Sequence, residues 1–565
     1  MKKELDKIKT INVLKSLYGD KASDVFVKIE QLISKYQSKI KDESNPLTEK
    51  DTILITYGDN VQQEGKTHLQ TLNKFVTKYC LPEINTTHIL PCFPFTSDDG
   101  FSVTDYYEID PNLGTWDDIK SLAETNNLMF DAVVNHMSKS SKWFQSYLAQ
   151  DDTYKDYFIA VNPEIDLSKV IRPRALPLLS PFKMKNGEER HIWTTFSEDQ
   201  VDLNFESPDV FLSILDVLLF YTSKGAKFIR LDAIAFLWKE IGTNCSHLPQ
   251  THTIIKLYKE VIKVLTENLY LITETNVPHT ENISYFGNGE DEADLVYNFS
   301  LAPLLVYSIM KGNVSVFTNW AQSLKMPSNK VCFFNFTASH DGIGMRPLQG
   351  IIADDEIFEL AKRAENHGGQ VGYKNNADGT QSPYELNCNY MDLLSHPVEE
   401  NDEIRIAKMM LTQSLMLAFP GVPGVYFHSL VGSQNHYKGV EESGIKRRIN
   451  REKLEFTKLE LELNSTSSLR NKVFNSYKKV LEIRSQEKAF NPFGDAEYFK
   501  FSNDQVFIIK RNFKNESIYC VYNFSDQSLK IDALESEVVN LISKEIIKES
   551  SWDLNPYQFL WLKKQ

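Results

Sequence analysis

The sequence predicts an α/β fold built on a closed (β/α)8 barrel, and three observations support this class. Eight short apolar runs of strand type recur along the chain, with helical patterns between them, as in parallel sheets covered by helices. No Gly-x-Gly-x-x-Gly motif follows the first run, which disfavours the runner-up, a doubly wound sheet that binds a dinucleotide. Finally, His136, Asp232, Glu274 and Asp341 stand at or just past the ends of runs, the face on which barrels carry their active sites.

The eight predicted strands follow one another along most of the chain. They lie at residues 52–57, 87–93, 131–136, 228–232, 270–274, 294–299, 331–336 and 422–427. Helices are predicted at 69–79 and 117–126, and a long insertion separates the third strand from the fourth. Residues 1–50 have an approximate helical period and no catalytic cluster, so we interpret them as a helical extension that caps the barrel rather than as a partner surface.

Composition excludes several classes of partner. The net charge is −14 and no long basic run is present, so nucleic acid is not a predicted partner. The first residues lack an apolar signal core, and no apolar run reaches the ~20 residues that cross a membrane. We therefore expect a cytoplasmic protein with no membrane partner. The six cysteines are scattered, which predicts reduced and mostly buried thiols.

The stretch at residues 225–233 organises the chain. Arg230 and Asp232 are two residues apart near the end of a buried strand, so they point to the same face. Burying such a pair is costly unless the two groups satisfy each other or serve a substrate. On this stretch alone, a structural ion pair and a functional site are both open.

Two carboxyl groups at strand ends suggest one particular chemistry. A retaining glycosidic reaction needs an ionised nucleophile and a second carboxyl that donates a proton. Arg230 would keep Asp232 ionised, because a neighbouring guanidinium favours the charged form. Glu274 ends an apolar run, and burial would help it to keep its proton near neutral pH.

The remaining polar residues fit a sugar site better than a metal site. Asp341 can hold sugar hydroxyls as the ring distorts, and His136 and His340 are typical hydroxyl-binding groups. A metal site at these histidines and aspartates is the alternative. However, the sequence has no His-x-x-x-His or Glu-x-x-His helix spacing, so no metal is predicted.

Together these stretches resemble the α-amylase superfamily of retaining α-glucoside enzymes. The resemblance is carried, in the order of that family, by residues 131–136, 225–233, 272–276 and 336–341. It implies that Asp232 is the nucleophile, Glu274 the acid/base and Asp341 the group that stabilises the transition state. The side chains implied to line the glucose subsite are Arg230, His136 and His340.

The resemblance also implies the division into domains. The predicted order is a helical extension at 1–50, a catalytic barrel at 51–136 and 201–485, an inserted loop-rich domain at 137–200 and a C-terminal antiparallel β-sandwich at 486–565. The sequence agrees in the last part, where residues 506–511 and 517–524 alternate like strands. No organic cofactor is implied.

A second group of stretches resembles the sucrose phosphorylase branch. They are residues 97–101, 135–138, 172–174, 193–197, 242–243, 340–344 and 448–451. In that branch phosphate, not water, attacks the glucosylated nucleophile, and the product is α-glucose 1-phosphate. The resemblance implies that Phe101 stacks on glucose, Asp98 holds its distal hydroxyls and Phe196 adds an apolar wall.

Arg172 and Arg174 flank Pro173, which stiffens their loop. Because arginines bind phosphate and carboxylate groups through two parallel hydrogen bonds, we expect an anion site there, beside the acceptor. Two solvated loop arginines are the alternative interpretation. Inorganic phosphate and small sugars are the partners that this assignment predicts.

Three departures from sucrose phosphorylases concern the acceptor. Phe236 replaces their tyrosine, Asn276 replaces their histidine, and Glu385 replaces a glutamine in the loop at 383–387. With the N-terminal extension, residues 237–240 and 247–252 resemble glucosylglycerate phosphorylases instead. The predicted candidates for binding the acceptor carboxylate are Arg174, Lys239, Gln250, His252 and Asn276. Tyr384, Glu385 and Arg448 are further predicted substrate-binding residues.

Several functions remain open beside phosphorolysis of glucosylglycerate. The chain could be a phosphorylase for sucrose, sucrose 6-phosphate or glucosylglycerol. A hydrolase or a transglucosidase would use the same carboxylates, and a catalytically silent carbohydrate-binding relative is the alternative that is not an enzyme. The sequence does not predict an oligomeric state.

Overall fold

A computed structural model describes residues 4–41, 45–174, 176–376, 379–532, 534–535 and 537–564. Residues 1–3 and 42–44 of the predicted extension lie outside the described part. At the centre is a closed barrel of eight parallel strands, which confirms the predicted fold class. The strands are β1 Ile53–Thr56, β2 Thr86–Ile89, β3 Asn127–Val133, β4 Ala226–Asp232, β5 Tyr270–Thr273, β6 Leu295–Tyr297, β7 Cys332–Phe336 and β8 Val422–Tyr426. Each strand pairs with its neighbours in the chain, and β8 pairs with β1.

The largest differences from the predicted strand boundaries are in β2 and β3. Strand β2 ends at Ile89 instead of residue 93, because Pro91 has no N–H to donate to a ladder. Strand β3 begins at Asn127 instead of residue 131, since Asn127 pairs with Thr86 of β2. Beyond Val133 the chain leaves the barrel and enters the insertion.

The helices of the described residues either cover the barrel or lie in the segments that leave it. They are α1 Lys7–Tyr18, α2 Ala22–Tyr36, α3 His68–Phe75, α4 Trp116–Ala123, α5 Lys142–Leu148, α6 Pro208–Ser223, α7 Pro249–Leu265, α8 His279–Asn282, α9 Leu301–Lys311, α10 Ser315–Ser323, α11 Asp354–Asn366, α12 Tyr390–Leu394, α13 Asp402–Ala418, α14 Phe427–Leu430, α15 Tyr437–Ser443, α16 Phe456–Asn464 and α17 Leu469–Gln486. Helix α6 begins with a proline. This residue is tolerated there because the N–H groups of the first turn have no acceptor within the helix.

The N-terminal helices α1 and α2 pack against α6 and α7 of the barrel. Leu14, Phe26 and Ile29 on these helices are fully buried and belong to the same apolar core as the barrel strands. Ion pairs at the edge of this contact include Lys28 with Asp209, at 2.8 Å. The apolar face of the extension is therefore covered by the barrel.

Two excursions from the barrel stand over its C-terminal end. The first lies between β3 and α6. It contains α5, a hairpin of Leu179–Lys183 with Glu189–Trp193, and a short pairing of His136–Ser138 with Gln200–Asp202. Both of these short strands cross a predicted boundary of the inserted domain, at 136/137 and at 200/201.

The second excursion follows β7 and contains a three-stranded antiparallel sheet. Its strands are Gln370–Asn375, Gln381–Asn387 and Ile343–Gly344. The prediction that residues 383–387 form a loop is wrong, because they belong to the middle strand. There Leu386 and Glu385 pair with Ile343 and Gly344.

The C-terminal part is antiparallel, as predicted. Its six-stranded sheet runs in the order Asp495–Phe499, Val506–Phe513, Glu516–Asn523, Phe559–Lys564, Val538–Asn540 and Ile546–Ile547. A second pair of strands, Leu529–Asp532 and Ser551–Leu554, accompanies it. Arg511 is fully buried and donates to the carbonyl oxygen of Ala418 at 2.6 Å, which ties this sheet to α13.

All six cysteines are buried and none forms a disulfide. No described helix is both long enough and apolar enough to span a membrane. Across the described ranges, no group of three or more histidine, cysteine, aspartate or glutamate side chains is arranged to hold a metal ion.

Candidate active site

A pocket opens at the C-terminal end of the barrel, and most of the predicted site residues line it. They are Asp98, Phe101, His136, Arg174, Phe196, Asp232, Glu274, Asn276, His340, Asp341, Tyr384 and Glu385. The barrel strands β4, β5 and β7 deliver Asp232, Glu274 and Asp341 at or after their ends, and the two excursions supply much of the rim. The topology thus brings together side chains that are far apart in the chain.

Beneath the pocket, Arg230 is the centre of a buried charge cluster. Its side chain is only 2% exposed and contacts both Asp131 on β3 and Asp232, the latter at 2.7 Å. His88 on β2 lies 2.7 Å from the other oxygen of Asp131. Because Asp131 is itself paired, it fixes the guanidinium beneath Asp232 and leaves the second oxygen of Asp232 for chemistry.

Asp232 and Glu274 share one buried environment. Burial raises the pKa of both carboxyls, and the charge of Glu274 further disfavours ionisation of Asp232. Arg230 opposes this shift at both groups, but it touches Asp232 at 2.7 Å and approaches Glu274 only to 3.7 Å. The direct contact favours the charge on Asp232, so the proton is held by Glu274.

The turn after β4 helps to aim these two groups. Ala233 has a φ of +51°, a left-handed conformation that residues with a side chain adopt at some cost. Its backbone N–H donates to Oε2 of Glu274 at 3.2 Å. The strained residue therefore orients Glu274 towards Asp232, which precedes Ala233.

Arg447 holds the third carboxylate. Its guanidinium lies 2.6 Å from Asp341 and binds Glu385 through two nitrogens, at 2.8 and 3.2 Å. Burial alone would raise the pKa of Asp341, but the charges of Arg447 and Arg451 hold it well below its usual range. Asp341 is therefore ionised and can stabilise positive charge that develops on a sugar ring.

At the far end of the pocket, Asp98 and Arg174 form an ion pair at 2.7 Å. Gln200 also donates to Asp98, at 3.2 Å. The arginine holds the pKa of Asp98 well below its usual range, so Asp98 is an ionised acceptor for hydroxyl groups. Arg174 also lies over the Phe196 ring, with its guanidinium carbon 5.6 Å from the ring centre.

Neutral histidines and aromatic rings complete this end. Phe101 stacks flat on His340, with ring centres 4.8 Å apart, and its carbonyl oxygen lies 2.9 Å from Nε2 of His136. Burial lowers the pKa of His340 to about 3 and also lowers that of His136. Both imidazoles are therefore neutral and can donate and accept hydrogen bonds. Phe196 and Phe236 meet edge to face at 5.8 Å and form an apolar wall.

Comparison with known proteins shows to which family the chain is similar. The model of the α-amylase catalytic domain matches residues 83–342. The glucosylglycerate phosphorylase of Escherichia coli K12 is 43% identical over 534 residues, which cover 94% of each chain. The glucosylglycerate phosphorylase of Allomeiothermus silvanus is 44% identical over 551 residues, covering 97% of this chain and 96% of that one.

The chain belongs to the α-amylase family. Within that family its near full-length relatives are glucosylglycerate phosphorylases. The crystal structure of sucrose 6F-phosphate phosphorylase from Thermoanaerobacter thermosaccharolyticum superposes with a TM-score of 0.75. It is 24% identical and is covered over 99% of its length and 90% of this chain, which shows the common fold.

In this α-amylase family member, three predicted acceptor candidates lie outside the pocket lining. Lys239 is buried beneath it, bound to Asp202 at 2.7 Å. Gln250 lies at the start of α7 and donates to Glu240 at 3.3 Å. His252, two residues further along α7, is 2.7 Å from a carboxylate oxygen of Glu292. These side chains already have protein partners, so we do not retain them as acceptor ligands.

Of the two loop arginines that were predicted to bind an anion, only one lines the pocket. Arg174 lines the pocket, whereas Arg172 is exposed and is not part of the lining. Pro173, between them, lies in the pocket wall. The expected anion clamp at 172–174 therefore reduces to Arg174, which is paired with Asp98.

Arg447 is the main residue that the sequence analysis missed. Arg448, which we predicted instead, contacts Asp99 and does not line the pocket. The two arginines are adjacent in a short 3₁₀ turn at Lys446–Asn450, where the sequence gives no periodic signal for which one faces inwards. Gln200 and Arg346 were also missed, although both line the pocket.

Replacing Arg447 with glutamine is expected to lower kcat/KM by about 100-fold, because Asp341 and Glu385 lose their shared cation. Arg447 lowers the pKa of Asp341, so its loss raises that pKa. The acidic limb of the kcat/KM profile should then move to higher pH. The measurement is a pH–rate profile. Arg190→Gln, at a partly exposed arginine that is paired with Glu188 and does not line the pocket, is the control. An acidic limb that stays in place would contradict the role of Arg447.

Proposed function

We propose that this chain is a retaining phosphorylase that converts 2-O-α-glucosylglycerate and phosphate reversibly into α-glucose 1-phosphate and glycerate. The observation that carries the proposal is the contact of Arg230 with Asp232 beside the buried Glu274, in a pocket that other arginines also line. The relatives that match nearly the whole chain support the choice of substrate. Its partners are then small sugars and inorganic phosphate, and we place the reaction in the cytoplasm.

In the first half of the reaction, the glucosyl group moves to the protein. The carboxylate of Asp232 attacks the anomeric carbon and the bond from that carbon to the glycerate oxygen breaks. The electron pair of that bond goes to the leaving oxygen, which takes the proton of Glu274. Asp341 balances the positive charge on the ring as the bond breaks. The products are a glucosyl ester on Asp232, free glycerate and an ionised Glu274.

In the second half, phosphate takes the place of glycerate. An oxygen of hydrogen phosphate attacks the same carbon, and the ester bond returns its electron pair to Asp232. The proton of the phosphate passes to Glu274, which restores the starting state. Each half inverts the anomeric carbon, so the product keeps the α configuration of the substrate.

The test is the release of phosphate from α-glucose 1-phosphate in the presence of single acceptors. The panel is glycerate, glycerol, fructose, fructose 6-phosphate and water alone. We expect fast release with glycerate and slow release with the others. Fastest release with glycerol, fructose or fructose 6-phosphate would keep the mechanism and overturn the substrate. Equally fast release with water alone would identify a hydrolase, and no release would contradict a phosphorylase.

A further inference from the structure

Three arginine side chains of the described chain line the pocket, and they differ in their partners. Arg174 is paired with Asp98, and Arg447 is paired with Asp341 and Glu385. The third, Arg346, is partly buried but forms no ion pair and no side-chain hydrogen bond with the described residues. A partly buried guanidinium without a partner has lost part of its hydration, and an anionic ligand would compensate for that loss.

Arg346 stands on one side of the pocket together with Asn276 and Tyr384. A Cβ atom added to Gly344 would come within 2.4 Å of Oδ1 of Asn276, so the amide lies directly on the short strand that leads to Arg346. The N–H of Met345 donates to the carbonyl oxygen of Tyr384 at 2.9 Å. Asn276 follows the acid Glu274 by two residues, which brings this group to the side of the leaving oxygen.

Asn276 has no partner in the described structure either. Its Oδ1 atom is buried and accepts no hydrogen bond. A buried amide oxygen in this state costs free energy, unless a ligand donates to it. A hydroxyl group of an acceptor that lies between Asn276 and Arg346 would satisfy the amide.

A second cation lies near Arg346. Lys374 is on the strand Gln370–Asn375, and it too forms no ion pair with a described residue. Burial lowers the pKa of Lys374, and the charge of Arg346 lowers it further. The carboxylate of Asp354 opposes this shift, so Lys374 adds positive charge to this side of the pocket only in part.

Each of the other charged side chains that line the pocket contacts a group of opposite charge. Asp232 has Arg230, Asp98 has Arg174, and Asp341 and Glu385 share Arg447. Glu274 holds a proton. Among the charged side chains that line this part of the described structure, Arg346 is therefore the one without a partner of opposite charge, and it lies on the acceptor side.

We propose that Arg346 binds the carboxylate of the glycerate acceptor, with Asn276 holding an acceptor hydroxyl, and that Arg346 also binds phosphate in the second half of the reaction. This inference rests on the proposed function. It makes glycerate and phosphate alternative occupants of one anion site. It also explains how the pocket distinguishes glycerate from glycerol, which carries the same hydroxyl groups without the carboxylate.

The test uses α-glucosyl fluoride as the donor, because this donor loads Asp232 without phosphate. Transfer to glycerate, to glycerol and to phosphate is measured for the wild type, Arg346→Met and Arg346→Lys. For Arg346→Met we expect kcat/KM to fall about 100-fold with glycerate and with phosphate, and to stay within about threefold with glycerol. Arg346→Lys keeps the charge but not the planar fork, so its values should lie between those of the other two proteins. Arg190→Met is the matched control and should behave as the wild type.

The outcomes separate this inference from the proposed function. An equal loss with all three acceptors would overturn the inference, since Arg346 would then be needed for folding or for donor binding. Unchanged use of glycerate would overturn it as well, and unchanged use of phosphate would overturn the shared site. In each of these cases a wild-type preference for glycerate keeps the proposed function. A wild type that prefers glycerol to glycerate would overturn the proposed function itself, whatever the variants do.

Discussion

Replacing Asp232 with alanine is expected to abolish glucosyl transfer, with a loss of at least about 10⁴-fold in kcat, because no other group can form the covalent ester. The fold should persist. Arg230 keeps its contact with Asp131, so the buried guanidinium still has a carboxylate partner after the substitution. The variant should also leave Glu274 with fewer nearby negative charges.

The measurement is turnover of α-glucose 1-phosphate with glycerate, together with the thermal unfolding of the variant. Asp232→Asn is the matched control, because it removes the nucleophile while nearly keeping the side-chain volume. Both variants should be folded and inactive. Activity above a trace in either of them would exclude Asp232 as the nucleophile.

Replacing Glu274 with glutamine should slow glucosylglycerate cleavage by about 10³-fold, because the glycerate oxygen needs a proton to leave. Fluoride is a good leaving group and departs with little assistance from a proton donor. Cleavage of α-glucosyl fluoride by the variant should therefore fall by less than about tenfold. Initial rates with both donors measure this difference. An equal loss for the two donors would contradict the role of Glu274 as the acid.

The same variant provides a test by pH. Burial raises the pKa of Glu274, and the acid must be protonated to act. In the wild type, kcat/KM for glucosylglycerate should therefore fall as the pH rises through that pKa. Glutamine does not titrate, so this alkaline limb should be lost in Glu274→Gln. A limb that remains in the variant would belong to another group.

The barrel and the meeting of Asp232, Glu274 and Asp341 in one pocket could be predicted because their signals are local. Each apolar run is itself a strand, and Arg230 and Asp232 are two residues apart, so their contact follows from strand alternation. The ends of parallel strands meet on one face of a barrel. For this reason Glu274 and Asp341 could be placed in the pocket without knowledge of the loops.

The acceptor side could not be predicted because it depends on contacts between distant segments. Arg447 reaches Asp341 from more than 100 residues away, and only the packing of the 3₁₀ turn decides that it, not Arg448, faces the pocket. Lys239 has the charge expected of an anion ligand, but Asp202 in the insertion neutralises it. The sequence does not show which arginine of a pocket lacks an ion-pair partner. Arg346 could therefore be recognised as a candidate anion ligand only from the contacts of the structure.

The central claim is that glucosylglycerate is cleaved by phosphate with retention of configuration. The most direct test is to incubate the protein with 2-O-α-glucosylglycerate and inorganic phosphate and to follow the products by phosphorus and proton NMR. The account predicts α-glucose 1-phosphate and glycerate in equal amounts, with the consumption of one phosphate for each. Formation of free glucose without loss of phosphate, or of β-glucose 1-phosphate, would contradict it.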